Sequence, residues 1–285
     1  MEYALVFGGG GGKGAYEIGV WKALREMGYA NRFACVVGAS VGALNGALFC
    51  RNDLEMAERV WLTDINHRTI LSFNPNPDGI FGQDGLKRLL ERYLPEVMPD
   101  SPDFYVCVSK IRQFDKNQGL IGALTAEETY EAEYVKLNGL SRQEAIPVLL
   151  ASSALPMFYP PVRKRRDGGM LAQNNVPYLE AVRMGYEKIL AVSLGNETLV
   201  FKRRRIREER RGGKYEGTPL PPGNSGLSET LILCPSVSMG GLFDGTLDFS
   251  TKGARRRLKR GYADCMTIYR KRIEAFFSGE AAPGA

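Results

Sequence analysis

Val36-Val37-Gly38-Ala39-Ser40-Val41-Gly42 joins two kinds of secondary structure within a few residues. The apolar run from Ala34 to Val37 reads as a buried strand, and Ala43-Leu44-Asn45-Gly46-Ala47-Leu48 reads as a helix. A strand that passes into a helix through one serine must turn sharply, which lifts the hydroxyl clear of the sheet. Gly38 and Gly42 flank that turn and are small where neighbouring backbone must come close. The helix after Ser40 points its positive end at the same spot and favours an alkoxide or oxyanion there. Many glycine-rich turns match Gly-x-Ser-x-Gly, so chemistry needs two further parts: a base for the serine and donors for an oxyanion.

Toward the N-terminus, Tyr3 to Phe7 reads as a strand and Gly8 to Gly14, interrupted only by Lys13, as a glycine loop. Ala15 to Met27 reads as a helix with Ile18, Trp21 and Leu24 on one face, stopped by Gly28. The order strand, loop, helix, strand, turn, helix predicts a parallel sheet with crossover helices. Further on, the pattern predicts a helix over 53–63 capped by Asn52 or Asp53, and another over 85–93. Strands are predicted over 104–108, 130–136 and 188–193, with apolar structure resuming at Leu231. Ser141 and Glu144 form a capping-box pattern for a helix over 142–153, which Pro147 should bend or delay. Asn74-Pro75-Asn76-Pro77-Asp78-Gly79 reads as a turn-rich loop, and 254–277 as one closing helix.

The 285 residues suffice for one large α/β domain, and no internal repeat or second domain is visible. Its core is expected over 3–195 and 229–277, with a flexible basic insert at 200–228. With a single histidine, His67, the chain cannot build a two-histidine metal site, and a Ser-His-Asp triad could use only that residue. Five cysteines without Cys-x-x-Cys spacing argue against a disulfide framework or a zinc site and fit a reducing compartment. The N-terminus lacks a basic region before its short apolar run, so no signal peptide is expected. No apolar run approaches the roughly 18 residues of a membrane-spanning helix. A cytoplasmic protein that can visit a membrane surface is the expectation.

The net charge of +6 is localised. Lys202 to Lys214 holds eight Lys or Arg against two Glu, a surplus that accounts for all of it. Such a run is either a solvated loop or an attachment to anionic headgroups, to which Arg163–Arg166 and Arg255–Arg260 add if they share its side. Nucleic acid is not expected as a partner, because no basic-aromatic interleaving accompanies the run.

The glycine loop has three readings. As a phosphate loop it fails, since Phe7 stands where the first glycine is required and Gly14 where Ser or Thr must hold magnesium. As a dinucleotide fingerprint, Gly9-x-Gly11-x-x-Gly14 matches, but no acidic residue lies between Glu26 and Asp53 to hold a ribose. As an oxyanion hole it offers successive backbone N–H groups beside a helix N-terminus, next to the serine turn. For the base, His67 sits in a polar stretch with no positional signal. Asp167, in Arg166-Asp167-Gly168-Gly169, can serve if it is desolvated, although Asp-Gly-Gly is by itself an ordinary turn.

Taken together, Gly9-Gly10-Gly11-Gly12-Lys13-Gly14, Gly38-Ala39-Ser40-Val41-Gly42 and Asp167-Gly168-Gly169 resemble the patatin-like phospholipase family. Ala151-Ser152-Ser153-Ala154-Leu155-Pro156, Asn175-Val176-Pro177 and Gly261-Tyr262 also look familial. The resemblance covers about residues 3 to 195 and resumes from about 229 to 270. It implies a single three-layer α/β domain with a mostly parallel central sheet flanked by helices. It also implies a Ser-Asp dyad without histidine, metal or other cofactor: Ser40 the nucleophile, Asp167 the general base, and the backbone of Gly9, Gly10 and Gly11 the oxyanion donors, a role that Gly8 or Gly12 can share if the loop shifts by one residue. The implied activity is a phospholipase A or lysophospholipase type of acyl-ester hydrolysis. A serine esterase, thioesterase or acyltransferase for soluble substrates is the alternative, ahead of a nucleotide-binding protein or an inactive membrane-binding member.

Overall fold

The computed structural model describes residues 2–76, 78–111, 130–171, 175–195 and 229–279. Strand β1 (Tyr3–Phe7) is buried at every position, as a strand must be when both faces of its sheet are covered. It is followed by a short 3-10 turn, Gly11–Gly14, and by helix α1 (Ala15–Glu26), which ends at Met27 with Gly28 at φ +80°. Next come β2 (Phe33–Ala39), α2 (Val41–Cys50), α3 (Leu54–Arg59) and α4 (His67–Ile70). Asp53 caps α3 by accepting from the Met56 N–H at 2.9 Å.

A hairpin of β3 (Ser72–Asn76) and β4 (Gly79–Gly82) precedes α5 (Asp84–Tyr93). The stretch 74–79 reads as a loop in sequence, but Pro75 stands within β3, and a two-stranded ribbon tolerates proline on its unpaired edge; Pro77 lies outside the described residues. Then follow β5 (Asp103–Ile111), β6 (Tyr130–Lys136), α6 (Arg142–Ser152), β7 (Arg165–Asp167), a single helical turn Gly168–Leu171, α7 (Tyr178–Arg183), β8 (Lys188–Val192) and β9 (Glu229–Leu233). Helix α6 starts at Arg142 with its capping box formed, and contains Pro147. The expected closing helix is two, α8 (Thr251–Asp264) and α9 (Arg270–Ser278), separated by a wider π-type turn at Cys265–Tyr269.

The sheet order is β6-β5-β2-β1-β8-β9, with β7 also paired to β5. The four pairings β5-β2, β2-β1, β1-β8 and β8-β9 are parallel. Alternation along β1 separates two apolar layers. Tyr3, Leu5 and Phe7 pack with Trp21, Phe49, Phe276 and Phe277 beneath α1, α2 and α9. Ala4 and Val6 face the opposite way, with Val37, Ile189 and Ala181 of α7. Helices α1 and α8 cross closely because Gly19 and Gly261 stand where a Cβ would lie 2.0–2.1 Å from the other helix's backbone oxygens.

Register decides where the chemistry can sit. Phe7 is level with Gly38 on one side and Val192 on the other, so the loops after β1, β2 and β8 all leave the sheet at one end. Strand β5 is longer than β2: Cys107 still faces Ala39, but Val108 faces Asp167 of β7. Strand β7 therefore continues the row that β2 vacates, running the opposite way, and Ser40 and Asp167 leave their strands where the two meet.

Candidate active site

Ser40 sits between β2 and α2 with φ +54° and ψ −126°, a conformation that costs a non-glycine residue of order 1–3 kcal/mol. Surrounding contacts hold it there. Its N–H donates to Ser152 Oγ at 2.9 Å, and the Ser152 hydroxyl donates to Cys107 O at 2.7 Å. Its carbonyl accepts from the N–H groups of Ala43 and Leu44, the first bonds of α2. A serine at this position commonly caps the helix with its own oxygen, but the Ser40 side chain makes no such bond. Gly42 lies against the end of β1, where a Cβ would come within 2.3 Å of Phe7 O, and Gly38 packs on Ala43.

The glycine loop runs beside this turn. Gly8 N–H donates to Val192 O at 3.0 Å, and Gly9 N–H to Asn175 O at 2.8 Å. Asn175 returns a bond from Nδ2 to Gly9 O at 3.1 Å. A Cβ on Gly9 would stand 2.4 Å from Asn175 Oδ1 and 3.2 Å from Ser40 Cβ, so only glycine lets the loop lie against the serine. Gly11 needs its left-handed φ of +56° and abuts Thr246 O. The Gly9 N–H is engaged by Asn175 O, whereas among the described residues those of Gly10 and Gly11 have no acceptor.

Asp167 is 1% exposed. Its Oδ1 accepts from the Gly169 N–H at 2.9 Å, and its carbonyl from Ser109 Oγ at 3.0 Å. Gly168 packs against Cys107 of β5, so the Asp-Gly-Gly turn is wedged beside that strand. Ser40, Asp167, Gly9, Gly10, Gly11, Lys13 and Asn175 line one cavity of about 480 Å³. Beyond this polar end its walls are apolar, built from Leu44 and Leu48 of α2, Trp61, Leu86 and Leu90 of α5, and Tyr159.

Two supporting groups carry no motif signal. Under α2, Asn45 Nδ2 donates to Gly14 O at 3.0 Å and Glu17 Oε2 at 2.7 Å, while Asn45 Oδ1 accepts from Trp61 Nε1 at 2.9 Å. Burial pushes the Glu17 carboxyl well above its ordinary range, against the opposing hydrogen bonds of Asn45 and the Gly8 backbone. The second group is Arg257, 1% exposed at the centre of α8. It donates to Gly12 O at 3.2 Å, Asp248 O at 2.8 Å, Asp244 O at 3.0 Å and Asp248 Oδ2 at 2.7 Å. It thereby ties the glycine loop to the segment 242–249, under which Lys13 also runs. Burial and the nearby guanidinium of Arg257 lower the Lys13 pKa, with Asp244 opposing. Arg257 is concealed in sequence because it stands among exposed basic neighbours.

His67 is half exposed and does not line the cavity; its Nε2 accepts from the Phe249 N–H at 3.3 Å. Of the basic stretch 163–166, Arg165 pairs with Glu133 and Arg166 is buried against Tyr159 O, so these two add nothing to a free positive surface. Lys202–Lys214 lies outside the described residues. Among the described residues no acidic, cysteine or histidine cluster could hold a metal, and burial raises the Cys35, Cys107 and Cys265 thiols to about 12.

The family model described as patatin-like phospholipase matches residues 5–182, more than half of the sequence. The chain belongs to the patatin-like phospholipase family. Patatin-like phospholipase domain-containing protein 7 of Rattus norvegicus and of Mus musculus are each 26% identical over 203 residues, which cover 68% of this chain. The match spans only 14% of those relatives' length. Human GIVD cytosolic phospholipase A2 superposes with a TM-score of 0.53 at 10% identity, covering 97% of this chain and 60% of that one, a likeness of fold. The mixed α/β architecture with a mostly parallel, helix-flanked sheet is thus a patatin-like fold. Among the described residues no helix is long and apolar enough to cross a membrane.

Proposed function

We propose that this patatin-like protein is a lipid acyl hydrolase that cleaves fatty-acyl ester bonds of phospholipids through Ser40 and Asp167. Asp167 accepts the Ser40 proton as Oγ attacks the ester carbonyl. The tetrahedral oxyanion is held by the N–H groups of Gly10 and Gly11 and by the positive end of α2. Gly9, its own N–H bonded to Asn175, serves by letting the loop approach Ser40. The alcohol or lysolipid leaves with the proton, and water repeats the sequence on the acyl-enzyme, returning Ser40. The acyl chain lies along the apolar walls of Leu44, Leu48, Leu86 and Leu90.

The observation that carries this reading is the convergence on one apolar cavity of a strained serine with an uncommitted side chain, a buried aspartate and a glycine loop. Family membership supplies the lipid class. The test measures hydrolysis of a chromogenic fatty-acyl ester and of phospholipid vesicles. Ser40→Ala and Asp167→Asn should each lower turnover by about a thousandfold or more, with the far-ultraviolet circular dichroism unchanged. His67→Ala should stay near wild type. Undiminished turnover by Ser40→Ala removes the mechanism; activity confined to soluble esters or thioesters replaces the phospholipid substrate.

A further inference from the structure

Helix α8 is amphipathic in an unusual sense, since its outer face carries one sign of charge. Gly253, Ala254, Arg257, Leu258, Gly261 and Asp264 are buried, whereas Lys252, Arg255, Arg256, Lys259 and Arg260 are exposed and border one open hollow. Arg260 lies 3.7 Å from Asp264, but among the described residues the other four have no carboxylate partner. Like charges on one helix repel, so this face is unfavourable unless something anionic covers it.

A second feature lies alongside. Arg260 donates to Ser236 Oγ at 3.3 Å and Arg257 to Asp244 O at 3.0 Å, which lays the segment 236–244 along the same helix. That segment exposes Val237, Leu242 and Phe243, the last at 79%. Leu242 also lines the cavity, so this exposed apolar segment adjoins both the cavity and the helix that carries the basic face. The one exposed acid among them, Asp244, has its carboxylate turned onto the Gly241 N–H. A nucleic acid would satisfy the cations and leave Leu242 and Phe243 in water. An anionic lipid leaflet satisfies both, with headgroups on the basic row and acyl region on the apolar pair.

We infer that α8 and the Leu242–Phe243 tip dock on an anionic lipid surface, setting the cavity mouth against the leaflet. The orientation towards substrate rests on the proposed lipid-ester reading of the cavity, whereas the docking itself is measurable without catalysis. The experiment is flotation of the full chain carrying Ser40→Ala, with vesicles of phosphatidylcholine alone or mixed with phosphatidylglycerol. Binding should require phosphatidylglycerol and weaken with salt. Adding Arg255→Gln, Arg256→Gln and Lys259→Gln together should lower partition by roughly tenfold or more, because each cation near an anionic leaflet strengthens binding by roughly fivefold. Phe243→Ser should lower it by roughly tenfold with the salt dependence kept. All variants retain Lys202–Lys214, so a loss belongs to α8. With Ser40 restored, the triple variant should turn over a soluble ester at the wild-type rate. Undiminished partition of the triple variant, equal binding to phosphatidylcholine alone, displacement from vesicles by duplex DNA, or wild-type partition of Phe243→Ser each overturns the inference. None of these results depends on whether Ser40 is the nucleophile.

Discussion

The two sides of the cavity mouth are held by different physics. On the β-sheet side, the serine turn and glycine loop are fixed by close approach: Gly42 touches the end of β1, and Gly9 touches Ser40 and Asn175. On the other side, the segment 242–249 has few apolar anchors and is held by one buried guanidinium that serves four oxygens. The steric side lies within the residues matched by the family model and the polar side beyond them. A close contact between backbones leaves a glycine that sequence displays; a polar clamp leaves one arginine among many.

The sharpest way to break the steric side is Gly42→Ala. Its Cβ would lie 2.3 Å from Phe7 O and 2.5 Å from Phe7 C, and neither chain can retreat without disturbing the β1-β2 register. We expect a loss of about 4 kcal/mol or more in denaturant unfolding, or failure to recover folded protein. On the polar side, Arg257→Leu leaves Asp248 and three carbonyls without their donor and should cost about 3 kcal/mol. Arg257→Lys should recover little, because an ammonium cannot span four acceptors on two segments. If Arg257→Leu unfolded at the wild-type denaturant midpoint, the clamp would be dispensable and the comparison would lose its second half.

Gly9→Ala separates positioning from stability. The added methyl meets the Asn175 side chain, which can rotate, and presses on Ser40. Thermal stability should barely change while kcat falls by about a hundredfold, equal to about 2.7 kcal/mol. The N–H survives this substitution, so the loss would report geometry rather than a missing donor. Equal loss in kcat and in melting temperature would contradict that assignment.

What the sequence revealed follows the same division. The parallel core, the serine turn and the capping box of α6 were legible because alternation, glycine spacing and the Ser141–Glu144 pair are local signals. The β3-β4 hairpin was not, since Pro75 masks a ribbon whose pairing depends on register. Nor could the engagement of the Gly9 N–H be read, because its acceptor, Asn175 O, is 166 residues away along the chain. Arg257 and Glu17 were hidden for a further reason. Burial of a charged residue is a property of the packed neighbours, and Arg257 stands among basic residues that face solvent, while Glu17 shares its helix with the exposed Arg25 and Glu26. That Asp167 lies where β2 ends was equally invisible, as it requires β5 to outlast β2 by the three residues that pair with β7.

Glu17 offers the smallest effect and a direct reading of burial beneath the steric side. Its carboxyl is wholly buried and its pKa lies well above the ordinary 4.5, with desolvation the largest cause. The folded protein therefore keeps a proton that the unfolded chain releases once pH exceeds that ordinary value. Folding stability must then decline as pH rises from there, by up to about 1.4 kcal/mol per unit, until the folded group also ionises. Glu17→Gln keeps an acceptor for Asn45 Nδ2 at the same place and abolishes the titration. We expect its stability relative to wild type to rise as pH increases above 4.5, measured as the denaturant midpoint at each pH. Parallel pH profiles for the two proteins would mean that Glu17 ionises at its ordinary pKa in the folded state. The Asn45–Trp61 network would then enclose a charge, and the turn that carries Ser40 would rest on a buried anion rather than on a neutral hydrogen-bonded floor.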